Sequence, residues 1–356
     1  MSIPTEPIGS IPRPPELIDG MQAFAAGRIS KESLDELFDD AVRDTIAQFE
    51  ATGSPVVTDG EQRKSSFVTY PLEGLDELAP DGVPIAFADG HVRQLPALTA
   101  GPFRYGTHAG TYLERAKPYA HRPLKQAVIS ASALSLIYPQ DGIADYPRET
   151  FLDDLVDEVE SDIRGCFAQG ADSVQIDFTE GRLAVKLDPS KGLLSQFVDL
   201  NNRVLELFTP EERARIGVHT CPGGDQDSTH SADVDYTELL PLLFSLKAGR
   251  FYVQLASESD RARVLAAIAE HLGDDQLVFV GVTDPIDPKV ESVEEVRDRV
   301  LEAAQFLPVA RLGTTDDCGF SPFGDDTSTA RETAFAKIRA RVAGTALAAD
   351  ALGLTP

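Results

Sequence analysis

Along this chain, short apolar runs alternate with longer stretches whose apolar residues recur every three or four positions. From about residue 127 the runs are Ala127–Ser132, Asp172–Asp177, Arg215–His219, Phe251–Ala256, Gln276–Val282 and Arg311–Thr315. Each is bounded by turn residues and predicts a buried strand. The stretches between them predict helices with one apolar face, as in Phe151, Leu152, Leu155, Val156, Val159, Ile163, Phe167 and in Val293, Val296, Val300, Leu301, Ala304. Two further units come earlier. Ile3–Gly9 and Pro55–Thr58 read as strands, and the segment Leu34, Leu37, Phe38, Ala41, Val42, Ile46, Phe49 reads as a helix with Ser30 as its N-cap.

Eight strands alternating with helices favour a closed (β/α)₈ TIM barrel, an α/β fold, over an open doubly wound sheet. A minimal barrel takes about 250 residues, and the surplus lies mainly in a Pro- and Gly-rich stretch at about 79–125. That stretch reads as a hairpin-like excursion from a single domain spanning 1–356.

Composition narrows the possible partners. The 356 residues are 42% hydrophobic and 25% charged, ordinary for a globular chain, with a formal charge of −26. So acidic a surface repels phosphate backbones and anionic headgroups, which argues against nucleic acid and membrane partners. The N-terminal stretch, with Pro4, Pro7 and Pro12, carries no signal-type apolar run, and three widely spaced cysteines do not make a disulfide framework. A reducing cytoplasm is the expected location.

In a (β/α)₈ barrel the chemistry sits at the C-terminal strand ends. Here those ends read Ile8-Gly9-Ser10, Asp59-Gly60-Glu61, Gln175-Ile176-Asp177, His219-Thr220-Cys221 and Asp317-Cys318-Gly319. His219 and Cys221, two apart at the end of the fifth strand, point the same way. Cys318, at the end of the eighth, reaches the same mouth from across the barrel. One imidazole and two thiolates suit Zn²⁺, although two small buried cysteines beside a satisfied histidine would give the same spacing. Cys166 follows Ile163 on an apolar helix face and reads as core. Glu61 and Asp177 are suited to holding an ammonium group or moving a proton, or else to capping a helix start. Arg63 and Lys64 are either exposed cations or partners for a substrate anion. Asp225, Asp227 and His230, in the loop after Cys221, are candidates for lining the site. Walker, dinucleotide-fold, nucleophile-elbow and zincin motifs are absent from the sequence.

Those strand ends, in that order, resemble the C-terminal catalytic barrel of cobalamin-independent methionine synthase. The resemblance implies that His219, Cys221 and Cys318 bind zinc. It implies that Ile8, Gly9, Ser10, Glu61 and Asp177 hold the amino-acid part of homocysteine, with Glu61 and Asp177 as the catalytic carboxylates. Three departures stand out. There is room for one barrel where the full synthase has two, so the methyl donor is open. No glutamate is in register at the end of the sixth strand, Val253-Gln254-Leu255-Ala256-Ser257-Glu258, where the family has its fourth ligand. Glu258 is the candidate substitute, with water as the alternative. The family's Asp-Glu-Pro is replaced by Asp177-Phe178-Thr179-Glu180. The implied partners are a small thiol and an alkyl or methyl donor. The implied activity is zinc-dependent methyl transfer to a thiol, homocysteine first, held as a zinc thiolate. The alternatives are epoxyalkane:coenzyme M transfer and a non-catalytic thiol- or metal-binding homologue.

Overall fold

The computed structural model describes residues 2–354. Six parallel strands lie side by side in chain order: Lys125–Ile129, Ser173–Asp177, Ile216–Thr220, Arg250–Val253, Leu277–Thr283 and Leu312–Asp316. They are the third to eighth strands of the predicted barrel. The segments predicted as first and second strands occupy the remaining arc with one bridge each. Thr5 pairs with Thr314, and Val57 with Leu124. Pro4, Pro7 and Pro55 have no N–H to give a ladder, which keeps both pairings short. The two segments meet each other through Thr58 Oγ1, which donates to the Gly9 carbonyl at 2.8 Å, and Ile11 N–H, which donates to the Gly60 carbonyl at 3.0 Å. The ring is thereby closed as a (β/α)₈ barrel.

The helices follow from capping and from the apolar stripe. Ser30 Oγ accepts from Ser33 N–H and starts the helix Lys31–Ala51. Ser292 and Glu295 form a reciprocal capping box before Val293–Ala303. The helix Arg148–Gln169 lays Phe151, Leu155, Val159, Ile163 and Cys166 on the barrel and stops at Gly170, in the left-handed region. Cys166 is thus a core residue, as its position on the apolar face predicts.

Three boundaries differ from the sequence pattern. The third strand ends at Ile129, not Ser132, because Ser130 Oγ accepts from Ala133 N–H and caps the short helix Ala131–Leu134. The sixth strand ends at Val253, not Ala256. There the Asp317 carboxylate accepts the N–H groups of Leu255, Ala256 and Ser257 at 2.7–2.8 Å and bends the chain. The excursion is also shorter than 79–125. It comprises two antiparallel ladders, Leu78–Ala79 with Ala97–Leu98 and Pro84–Ala86 with Val92–Gln94. The helix Ala109–Ala116 that follows buries Tyr112 and Leu113 and packs against Arg148–Gln169 in the outer ring.

The second ladder folds back over the barrel mouth. Arg93 Nε donates to Asp225 at 2.5 Å, and Ala88 N–H donates to the Thr229 carbonyl at 2.9 Å. Inside the barrel, Glu6 accepts from Arg250 at 2.9 Å and from the Tyr252 hydroxyl at 2.6 Å, while Lys125 Nζ donates to Gln175 Oε1 at 2.8 Å. Among the described residues, no helix is long and apolar enough to cross a membrane.

Candidate metal centre

His219 lies on the fifth strand and Cys221 directly after it; Cys318 lies just beyond the eighth. Their ligand-type atoms fall within 4.8 Å of one another, and all three residues are buried. The two Sγ atoms are 3.0 Å apart, in cysteines that are both free. Gly223 N–H also points at Cys221 Sγ, at 3.4 Å. His219 Nδ1 sits 3.0 Å from Asp177 Oδ1. An ionised carboxylate only accepts, so Nδ1 carries a proton and Nε2 is the ring nitrogen left to the sulfurs. That Nε2 is buried without a hydrogen-bond partner. An imidazole nitrogen left bare beside two thiols, with its other nitrogen held by a carboxylate, has the arrangement of a metal ligand with its orienting partner. The residues fit Zn²⁺ in chemistry as well as position, since sulfur and imidazole donors suit it.

Electrostatics in the cluster are uneven. Cys221 and the neighbouring His219 imidazole favour the Cys318 thiolate and lower its thiol against its burial, whereas burial and the neighbouring Cys318 raise Cys221. Burial disfavours the charged imidazole of His219, yet Asp177 and Cys318 raise it overall to about 9, so a metal ion taking Nε2 would displace a proton there. Asp177 Oδ1 also accepts from Gln175 Nε2 at 2.8 Å.

A cavity opens on this cluster, and Ile8, Ser10, Glu61, Asp177, His219 and Cys318 are among its walls. Gly9 does not line it but shapes its edge through the carbonyl that Thr58 holds. Gly319 lets Ser10 come close: a Cβ there would lie 2.1 Å from Ser10 Oγ. The turn Asp59-Gly60-Glu61 places Gly60 and Glu61 both at positive φ, and Asp59 Oδ1 accepts from Glu61 N–H at 2.9 Å. Glycine takes this conformation freely. Glu61 is held in it by its surroundings, as strained residues at functional sites are.

The structure redistributes the predicted cations. Lys64 is fully buried, and its Nζ donates to Glu61 Oε1 at 2.8 Å and to the Ala127 carbonyl at 2.9 Å. Against the cost of desolvation, Glu61 and Asp59 hold the Lys64 ammonium above its usual range. Arg63 turns away to Asp35 and Asp39. Asp225 holds the hairpin through Arg93, Asp227 stands outside the cavity walls, and His230 lines an adjoining cavity.

Glu258 does not join the metal-type cluster. Its Oε1 accepts from Arg182 at 2.7 Å, because the bend imposed by Asp317 carries it past the end of the sixth strand. Two residues that organise the mouth had no local signal. Arg13 donates to the carbonyls of Glu61, Lys64 and Ser321, clamping the first, second and eighth loops together. Glu180 is buried against Ser130 and Ser132.

Residues 3–342 match the family described as "Cobalamin-independent synthase, Catalytic domain". A 5-methyltetrahydropteroyltriglutamate–homocysteine methyltransferase of Nitratidesulfovibrio vulgaris is 25% identical over 322 residues, covering 89% of this chain and 39% of that protein. This chain therefore spans well under half of that relative. A methionine synthase of Saccharolobus solfataricus is 22% identical, with 98% of this chain and 96% of its own length covered. Among solved structures, a B12-independent methionine synthase from Shewanella sp. W3-18-1 superposes with a TM-score of 0.77 at 19% identity, over 100% of both chains.

Proposed function

The chain belongs to the family of cobalamin-independent synthase catalytic domains, and from that premise we propose that it is a zinc-dependent thiol alkyltransferase that methylates homocysteine. One observation carries the reading. The three-residue cluster, with its bare imidazole nitrogen, opens on a cavity walled by Ser10, Glu61 and Asp177. Relatives named for methyl transfer to homocysteine support the choice of reaction.

His219, Cys221 and Cys318 would hold the zinc, with the fourth position open to water or substrate sulfur. When bound, Zn²⁺ stabilises thiolate over thiol, so a substrate thiol is deprotonated near neutral pH. Two cysteine thiolates offset the charge of a divalent cation and leave a further sulfur nucleophilic. Asp177 keeps His219 in the tautomer that presents Nε2. Ser10 and Glu61 grip the end of the substrate remote from sulfur, which fixes the direction of attack.

The buried pair of Lys64 and Glu61 favours a second reading. Lys64 supplies a cation at the mouth, so an anionic thiol such as 2-mercaptoethanesulfonate, alkylated by an epoxide, finds a partner there. The test is metal analysis together with thiol consumption, using both thiols against 5-methyltetrahydrofolate, methylcobalamin and epoxypropane. Zinc-dependent alkylation of homocysteine supports the first reading, and of the sulfonate the second. Binding without turnover across the panel indicates a non-catalytic homologue. Cys318→Ser is expected to lose most of the zinc and the activity; full zinc occupancy in that variant would overturn the metal assignment.

A further inference from the structure

Beside the metal cluster lies a second cavity, which shares Phe67, Thr179, Gly223 and Gly224 with the first. Its walls are mainly apolar, with Val68, Ile85, Phe87, Leu136, Leu183 and Phe323 among them. Arg93, His230 and Glu180 are the charged or titratable groups that line it. Arg93 is committed to Asp225 and Asp325. His230 Nδ1 is 3.0 Å from Ser231 Oγ, and burial, with Lys186 and Arg182 nearby, lowers the imidazole to about 4 and keeps it neutral.

Glu180 differs from both. Its Oε1 accepts from Ser130 Oγ at 2.5 Å and from Ser132 Oγ, whereas its Oε2 is buried with no partner. A bare carboxylate oxygen in an apolar wall costs free energy, while a carboxylic acid can offer its O–H to a ligand. Burial raises this carboxyl to about 7, against the two serines that favour its ionised form. The group is therefore poised to give up a proton near neutral pH.

We propose that Glu180 is the general acid of the alkyl transfer, donating the Oε2 proton to the nitrogen or oxygen that leaves the transferred carbon of a donor seated in the apolar cavity. The inference rests on the thiol-alkyltransferase reading above. The substrate sulfur has released its proton to solvent, and its electron pair forms the new S–C bond. The bond from carbon to the leaving heteroatom breaks, its electrons staying on that atom. The heteroatom takes the proton from Glu180, and solvent reprotonates the carboxylate. A thiol and an N-alkyl or epoxide donor thus become a thioether and an amine or alcohol. The donor class is a molecule with an apolar face and a basic heteroatom on the carbon to be transferred. A donor whose leaving group takes no proton draws nothing from Glu180.

The test compares zinc-loaded wild type and Glu180→Gln with homocysteine as the thiol. The donors are 5-methyltetrahydrofolate, epoxypropane and methylcobalamin, together with iodomethane, whose iodide leaves without a proton. The ratio of the rate with the folate or epoxide to that with iodomethane is expected to fall about 10²-fold or more in the variant. Zinc content and the Kd for homocysteine by calorimetry should hold. In wild type, kcat should decline above about pH 7, and this limb should vanish in the variant. Asp177, whose charge raises Glu180, and the committed Arg93 and neutral His230 are the other groups facing the carboxyl or its cavity. Ser132→Ala, which removes a hydrogen bond favouring the carboxylate, should move the limb to higher pH even if Glu180→Gln fails to fold. An unchanged ratio, an unmoved limb in Ser132→Ala, or wild-type activity with methylcobalamin alone would overturn the role of Glu180. Absence of thiol alkylation by zinc-loaded wild type with every donor would instead bring down the function proposed above.

Discussion

Two buried polar clusters lie one above the other in this barrel, joined by a single side chain. In the interior, both carboxylate oxygens of Glu6 are taken, by Arg250 and Tyr252, and Lys125 stands 3.8 Å from one of them over the Tyr252 ring. At the mouth, Asp177 holds His219, whose second nitrogen has no partner, beside two free cysteines. Gln175 bridges them, accepting from Lys125 and donating to Asp177. Both clusters are largely buried, and each is organised around a carboxylate. The carboxylate of the first has its partners within the protein, whereas the second exposes a bare donor to a cavity. Buried charge alone therefore does not mark a site; the unfilled donor beside open volume does.

That contrast can be broken at several points. Glu6→Gln should destabilise the fold by about 3–5 kcal/mol, because it leaves buried cations without their counter-charge. Zinc stoichiometry of the folded variant should hold, as read by chemical denaturation with metal analysis. Zinc loss without a stability change would show that the clusters are not separate in role. Asp177→Asn should act the other way, lowering zinc affinity about 10- to 100-fold with a smaller change in melting temperature. Competition against a chromophoric chelator measures the first and a thermal scan the second.

The smallest effects lie in pH. Burial lowers Lys125 to about 8 from an ordinary 10.5. Between those values the unfolded chain holds a proton that the folded chain releases, so this residue makes stability rise with pH. Glu180 has the opposite sign. Raised to about 7 from 4.5 by burial, it binds its proton more tightly in the fold, so its contribution declines as pH climbs from 4.5 to 7. Urea titrations of wild type, Lys125→Met and Glu180→Gln across pH should show each slope removed only in its own variant.

Much of the site could be read along the chain because the strand ends carry it. His219-x-Cys221 keeps both side chains on one side through the two-residue repeat of a strand, and the order of strands brings Cys318 to the same mouth. Glu258 shows where that logic stops. It lies five residues past the strand end at Val253, where the direction of a side chain depends on the loop, and this loop is bent by Asp317, which is distant in sequence. Lys64 reads as an exposed cation until its neighbours are known. Arg13, 308 residues from Ser321 along the chain, gives no local sign of the clamp it makes.

What the sequence determined by itself was the alternation of strand and helix, the caps that start the helices, and the set of residues at the C-terminal strand ends. These follow from periodicity and short-range hydrogen bonding, which act over a few residues. The tertiary structure decided which of those residues are left incomplete. It gave Glu61 to Lys64 and Glu258 to Arg182, and it left His219 Nε2 and Glu180 Oε2 bare. Pairing and desolvation depend on atoms brought together from across the barrel, and no local pattern encodes them.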